Sequence, residues 1–127
     1  MSEHPVLQLI RCADEAIIAE DFDTLMELYA EDAMLVVRPG VVARGRGEIR
    51  RACERIAKHF DHSLVVRQAG MALLEAGDTA LVLANTVISS AETPETVRHA
   101  TYVFRREPSG RWLCIVDNSY GHAIIEA

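Results

Sequence analysis

The hydrophobic period of this chain changes once, near His62, and that change fixes the class of fold open to it. Before it, apolar residues recur every three to four positions; after it, they alternate. Val6, Leu9, Ile10, Ala13, Ala16 and Ile17 make one stripe and predict a first helix, whose opening turn tolerates Pro5 because an N–H there has no partner within the helix. Glu20-Asp21 ends that helix, and Asp21 can cap a second one burying Phe22, Leu25, Met26, Leu28 and Tyr29. Met34 to Val37 reads as a short strand, Pro39-Gly40 as a turn, and Val41-Val42 as the return. Residues 45–59 read as a third helix with Ile49, Ala52, Cys53 and Ile56 facing inward. Strands are predicted over residues 63–75, 79–90, 97–106 and 111–120, with connections short enough to favour antiparallel neighbours. Helices first and strands after predict an α+β fold, with three amino-terminal helices packed on one side of an antiparallel sheet.

A length of 127 residues suits a single domain spanning 1–127 and is too short for two. A net charge of -6 disfavours duplex nucleic acid, whose affinity comes from phosphate neutralisation, and acidic membrane surfaces for the same reason. Arg44, Arg46, Arg50, Arg51 and Arg55 are a local exception, read as a solvated face in which Arg51 and Arg55 pair with Glu48 or Glu54. The first sixteen residues carry charges throughout and read as neither a secretory signal nor a membrane span. Cys12, Cys53 and Cys114 are odd in number and far apart, so they are expected to be buried free thiols in a cytoplasmic protein. His59, His62, His99 and His122 have no metal-ligand spacing, and Gly45-x-Gly47 lacks the strand-to-helix context of a phosphate loop; no metal and no cofactor are expected. The strand from Thr79 is apolar on both faces, and Trp112, Cys114 and Val116 alternate together, so a homodimer through the outer face of the sheet is expected.

The stretch YAEDAMLVVRPGVVARGRGEIRRACERIA, followed by four long strands ending in SGRWLCIVDNSYG, resembles the SnoaL-like and ketosteroid-isomerase-like proteins of the nuclear-transport-factor-2-like superfamily. Tyr-Ala-x-Asp-Ala and Gly-Arg-x-x-Ile carry the resemblance, which covers nearly the whole chain. It implies a cone in which the helices close over a strongly curved sheet and leave an apolar pocket. Isomerases, cyclases, dehydratases and non-catalytic binding domains all use that fold, so it does not give the activity. The steroid isomerase needs a carboxylate base at a position that falls here on Val37, beside Arg38, a Tyr at a position falling on Ala13, and an acid at Ala100 or Tyr102. Val37 cannot take a proton, so that mechanism is not expected, although Tyr29 matches a supporting Tyr of the family.

The family's inward face, projected onto these strands, implies that Leu81, Leu83 and Asn85 face the pocket. Arg98, Tyr102 and Phe104 are implied from the next strand, and Leu113, Ile115, Asp117 and Ser119 from the last. Asp117, after Leu-Cys-Ile-Val, is the least expected residue, because a buried carboxylate must be paired, hydrogen-bonded or neutralised. Arg98 or Arg38 is expected to pair with it, or Asn85 or Tyr102 to hydrogen-bond it. Two readings stand: a general acid/base, or a structural residue that caps a strand end or joins a buried ion pair. Asn85 likewise serves a ligand or pairs within the sheet. Two functions follow. One is a cofactor-free lyase, isomerase or cyclase acting by proton transfer on a hydrophobic carbonyl compound, with Asp117 and Tyr102 catalytic and Asn85, Arg38, Arg98, Tyr29, Leu83, Phe104, Ile115 and Ser119 binding substrate. The other is a non-catalytic domain that binds a small apolar ligand or assembles with itself.

Overall fold

The computed structural model describes residues 3–126. Helices α1 (Pro5–Ala19) and α2 (Phe22–Glu27) lead into strands β1 (Tyr29–Arg38) and β2 (Val41–Arg44), then helix α3 (Gly45–His59). Strands β3 (Val65–Ala76), β4 (Thr79–Ser89), β5 (Thr96–Arg106) and β6 (Trp112–Asn118) follow, and a 3₁₀ turn (Gly121–Glu126) ends the described chain. The six strands form one curved sheet in the order β2-β1-β6-β5-β4-β3, with the helices packed on it, the α+β arrangement expected.

Local chemistry sets each helix start. The His4 imidazole accepts the N–H of Val6 at 3.1 Å and also meets Glu75 at 2.7 Å, so the cap of α1 is pinned to β3. The Asp21 carboxylate accepts the N–H of Thr24 at 3.2 Å, capping α2 as its position suggests. Glu48 reaches back to the N–H of Arg44 at 3.0 Å ahead of α3. The Arg patch on that helix pairs differently from expectation: Arg50 holds Asp23 at 2.6 Å and Glu54 at 3.7 Å, while Arg51 and Arg55 stay exposed. Val6, Leu25, Ile49 and Val82 are fully buried where the three helices meet the sheet, each worth roughly 1.5–3 kcal/mol of transfer free energy.

Two departures from the alternating pattern decide where side chains point. In β6, Val116 pairs with Val103 but Cys114 pairs with Phe104, so Ile115 is an extra, unpaired residue, a β-bulge. In β3, Gln68 pairs with Thr86 but Gly70 with Asn85, which makes Ala69 a second bulge. Each bulge bends its strand and switches the faces on either side of it. A third difference is that β1 and β6 are parallel, against antiparallel pairing elsewhere. Tyr29 pairs with Cys114, and the Cys114 N–H bonds the carbonyl of Leu28 at 2.9 Å, so Leu28 caps α2 and Tyr29 opens β1 instead of lying on the helix.

Candidate functional site

Helices and sheet enclose a cavity of about 140 Å³, walled mostly by apolar side chains such as Ile17, Leu35, Ile56, Val66 and Ile88. A smaller chamber of about 50 Å³ continues from it past Asp14, Tyr29, Tyr102 and Asp117. Into this apolar space the fold introduces two carboxylates.

Asp117 arrives on β6, beyond the bulge, beside Leu35 of β1 and Tyr102 of β5. Its Oδ2 accepts the phenol proton of Tyr29 at 2.6 Å. None of the partners expected for it, Arg98, Arg38, Asn85 or Tyr102, makes that bond; the partner is Tyr29, brought in by the parallel pairing that starts β1 at that residue. Burial raises the carboxyl to about 6, against the lowering effect of the Tyr29 hydrogen bond. The same burial, with the charge of Asp117, drives the Tyr29 phenol well above its usual range, so it remains a donor.

Asp14 comes from α1, one turn beyond Ile10 and one before Ile17, and lines both chambers. Burial raises it to about 6 as well; Gln68 lowers it and the charge of Asp117 raises it further. Sequence reasoning passed over Asp14, though an acid at an i+4 position inside an apolar stripe is a usable signal.

A directed chain of hydrogen bonds runs from Asp14. Gln68 donates through Nε2 to its carboxylate at 3.0 Å and accepts the Thr86 hydroxyl proton at 2.9 Å. That leaves the Thr86 oxygen as acceptor for the Tyr102 phenol, 3.2 Å away. Tyr102 therefore commits its proton to Thr86 while Asp14 is ionised, and its oxygen has a lone pair left to offer. Thr86 is the most deeply buried charged or hydroxyl-bearing aliphatic residue among the described residues, at 3 % exposure, and no local pattern marks it.

The remaining expected residues separate into two groups. Arg98, Tyr29, Tyr102, Asp117 and Ser119 border the main cavity. Phe104 is buried and borders only the smaller chamber. Ile115 packs against the core from its bulge, and Leu113 is buried beside Arg105, its register partner, away from the main cavity. Trp112 and Cys114 face inward, against the expectation that they lie on the outer face: Trp112 meets the His4 ring edge at 5.7 Å, and Cys114 borders the smaller chamber. Leu83 and Asn85 point outward, Leu83 being 50 % exposed and Asn85 bonding His99 at 2.9 Å. The reason is register: Thr86 pairs with Arg98 and Val82 with Tyr102, so the even-numbered residues of β4 share the inner face. Arg38 is exposed at the end of β1 and does not reach the cavity.

Of the thiols, Cys12 is exposed, against expectation, while Cys114 is buried. Cys53 lies in the cavity wall with its thiol pushed by burial up to about 12, too high for a nucleophile near neutrality. Among the described residues no three His, Cys, Asp or Glu side chains gather as a metal cluster, and no helix is long and apolar enough to cross a membrane.

A helix-covered curved sheet enclosing a cavity defines the cystatin-like, nuclear-transport-factor-2-like class of folds. Residues 6–115 match the SnoaL-like domain, and the chain belongs to that family. The matched span stops short of Asp117, so membership alone says nothing of that carboxylate. Among solved structures, a proposed dehydratase of the nuclear-transport-factor-2-like family from Streptomyces avermitilis is 28% identical, with 89% of this chain and 91% of that one covered and a TM-score of 0.71. A nuclear-transport-factor-2-like protein from Pseudomonas putida has a TM-score of 0.78 at 22% identity, over 88% of this chain and 80% of the other. A proposed ketosteroid isomerase from Shewanella frigidimarina has a TM-score of 0.74 at 14% identity, over 87% and 89%. The last two similarities concern the fold only. No curated protein matches the chain in sequence.

Proposed function

We propose that this protein is a cofactor-independent proton-transfer enzyme, a lyase, isomerase or cyclase, acting on a small hydrophobic carbonyl compound held in the main cavity. The observation that carries the reading is the Asp117–Tyr29 pair: a carboxylate facing an apolar cavity, held by one phenol at 2.6 Å and balanced near pH 6. A group with that affinity takes a proton from carbon adjacent to a carbonyl and gives it back without a large penalty in either direction. Asp14 complements it. When Asp117 is ionised, its charge favours the protonated form of Asp14, which then donates a hydrogen bond to the oxygen that gains charge as the proton leaves. Tyr29 orients Asp117, and Tyr102, through Thr86 and Gln68, fixes the position of Asp14. Loss of water from a β-hydroxy carbonyl compound begins with the same proton abstraction, which fits the dehydratase proposed for the 28% identical structure.

The reading includes a cytoplasmic homodimer that covers the outer face of β3 to β5, where Leu74, Leu83 and Val97 are 67, 50 and 53 % exposed.

The test is deuterium uptake at the α-carbon of cyclohexanone and acetophenone in D₂O, followed by NMR, with melting temperature read on the same samples. The expected result is exchange faster than buffer for the wild type. Asp117→Asn should retain the fold and lose at least about a hundredfold of that rate, the usual scale of general-base catalysis. Ketones that bind with no acceleration of exchange would overturn the enzymatic reading in favour of a passive apolar binding domain.

A further inference from the structure

We propose that Arg98 anchors a carboxylate on the ligand, so that the compound taken by this cavity is a compact apolar acid; this rests on the cavity being the ligand site. The arginines that the fold half-buries are Arg46, Arg50, Arg98 and Arg105. Three have a carboxylate: Arg46 has Glu31 at 3.9 Å, Arg50 has Asp23 at 2.6 Å, and Arg105 has Asp32 at 3.1 Å. Arg98 has none among the described residues. Its contacts are the Ser119 hydroxyl, at 3.5 Å from Nη1, and the face of the Tyr120 ring, 4.3 Å from the guanidinium carbon. A ring face under the guanidinium carbon uses none of its N–H groups, and the N–H fork matches a carboxylate edge to edge.

The position of this cation strengthens its demand for a counter-charge. Arg98 borders the main cavity, in which most other lining groups are apolar, and a charge half removed from water there gains strongly from an opposite charge. The protein's own cavity carboxylates do not supply it: Asp117 is held by Tyr29 and Asp14 by Gln68, and among the described residues neither forms an ion pair with Arg98. A negative charge from outside the chain completes the arrangement.

Spacing and volume then restrict the ligand. Arg98 and Tyr102 lie on the same face of β5, about 13 Å apart along the strand at some 3.3 Å per residue, and Tyr102 is the register partner of Asp117. The guanidinium meets Ser119, two residues beyond Asp117, so the anion anchor and the proton-transfer carboxyl line one and the same cavity without touching. At about 140 Å³, its volume is close to that of engineered apolar cavities which hold a single benzene. One ring or an equivalent branched chain fits that volume, with the acid at Arg98 and the reacting carbon toward Asp117. A four-ring body does not.

The test compares 3-phenylpropanoate with 3-phenylpropanamide, which share ring and chain and differ in charge, by calorimetry at pH 7.5. The wild type should bind the acid tighter than the amide by about ten- to a hundredfold, the range of a charge-assisted hydrogen bond. Arg98→Gln should bring the acid down to the level of the amide and leave the amide unchanged, and Arg98→Lys should restore part of the difference. Both variants should melt within a few degrees of the wild type, because they lose at most the Ser119 contact and the Tyr120 ring face and no ion pair among the described residues. Equal binding of acid and amide by the wild type, or equal weakening of both by Arg98→Gln, would overturn the anchor while leaving the cavity as the ligand site. Failure of the wild type to bind either probe would overturn both.

Discussion

Removing one oxygen, in Tyr29→Phe, isolates the group that keeps Asp117 ionisable. The Tyr29 ring is 5 % exposed and its hydroxyl donates at 2.6 Å to Asp117, so Phe leaves the packing nearly intact and deletes the hydrogen bond that lowers this carboxyl. A hydrogen bond to a charged group is worth about 1.5–3 kcal/mol, which at 1.36 kcal/mol per unit raises the pKa by one to two units. Asp117 should therefore move from about 6 to between roughly 7 and 8. The sign follows from linkage. A carboxyl whose folded pKa lies above its value of 3.8 outside the fold binds its proton more tightly in the native state. Its contribution to stability is complete below about pH 4 and is lost as pH rises through the folded value. For the wild type the loss is about 3 kcal/mol, finished near pH 6 to 7; for Tyr29→Phe it should reach about 4–6 kcal/mol and continue to about pH 8. Carbon-13 NMR of aspartate-labelled protein reads the carboxyl midpoint directly, and chemical denaturation at pH 5 and pH 8 reads the stability. A midpoint for Asp117 in Tyr29→Phe that stays at or below 6 would refute the account of how this carboxyl is held.

Three further outcomes can be measured. Asp117→Asn should raise stability at pH 8 relative to the wild type by up to about 3 kcal/mol, since the amide keeps an acceptor for Tyr29 and carries no charge to bury; a loss of stability there would mean that Asp117 has a cationic partner. Thr86→Val breaks the chain between Gln68 and Tyr102 without changing shape, and should lower stability by about 1–3 kcal/mol in denaturant melts; an unchanged midpoint would show that chain to be without consequence. Leu83→Glu places a charge in the middle of the exposed apolar outer face and should halve the mass seen by sedimentation at micromolar concentration while leaving the melting curve of the fold in place; a monomeric wild type would refute the dimer.

The sequence alone determined what depends on local period and local chemistry. Three helices followed by strands, the Asp21 cap, the third helix over Gly45–His59 and the limits of β4 and β5 within a residue were all legible, because each is set by neighbours a few positions away. It also singled out Asp117 as an anomaly, since a carboxylate ending an apolar run needs a compensating contact wherever the strand packs. Tertiary structure decided what faces the cavity. On β4 both faces are apolar up to Ala84, so nothing local tells Leu83 and Asn85 from Val82 and Thr86; only the pairing of Thr86 with Arg98 and Val82 with Tyr102 does. On β6 the extra residue Ile115 breaks the alternation, which turned Leu113 away from the cavity and Trp112 and Cys114 inward although the family resemblance implied the reverse. The partner of Asp117 comes from 88 residues away, through a parallel pairing of the first and last strands, and the second carboxyl comes from a helix laid over the sheet. Hydrophobic period records which residues avoid water. Which residues meet depends on register, bulges and strand order, and those are fixed only when the whole sheet closes.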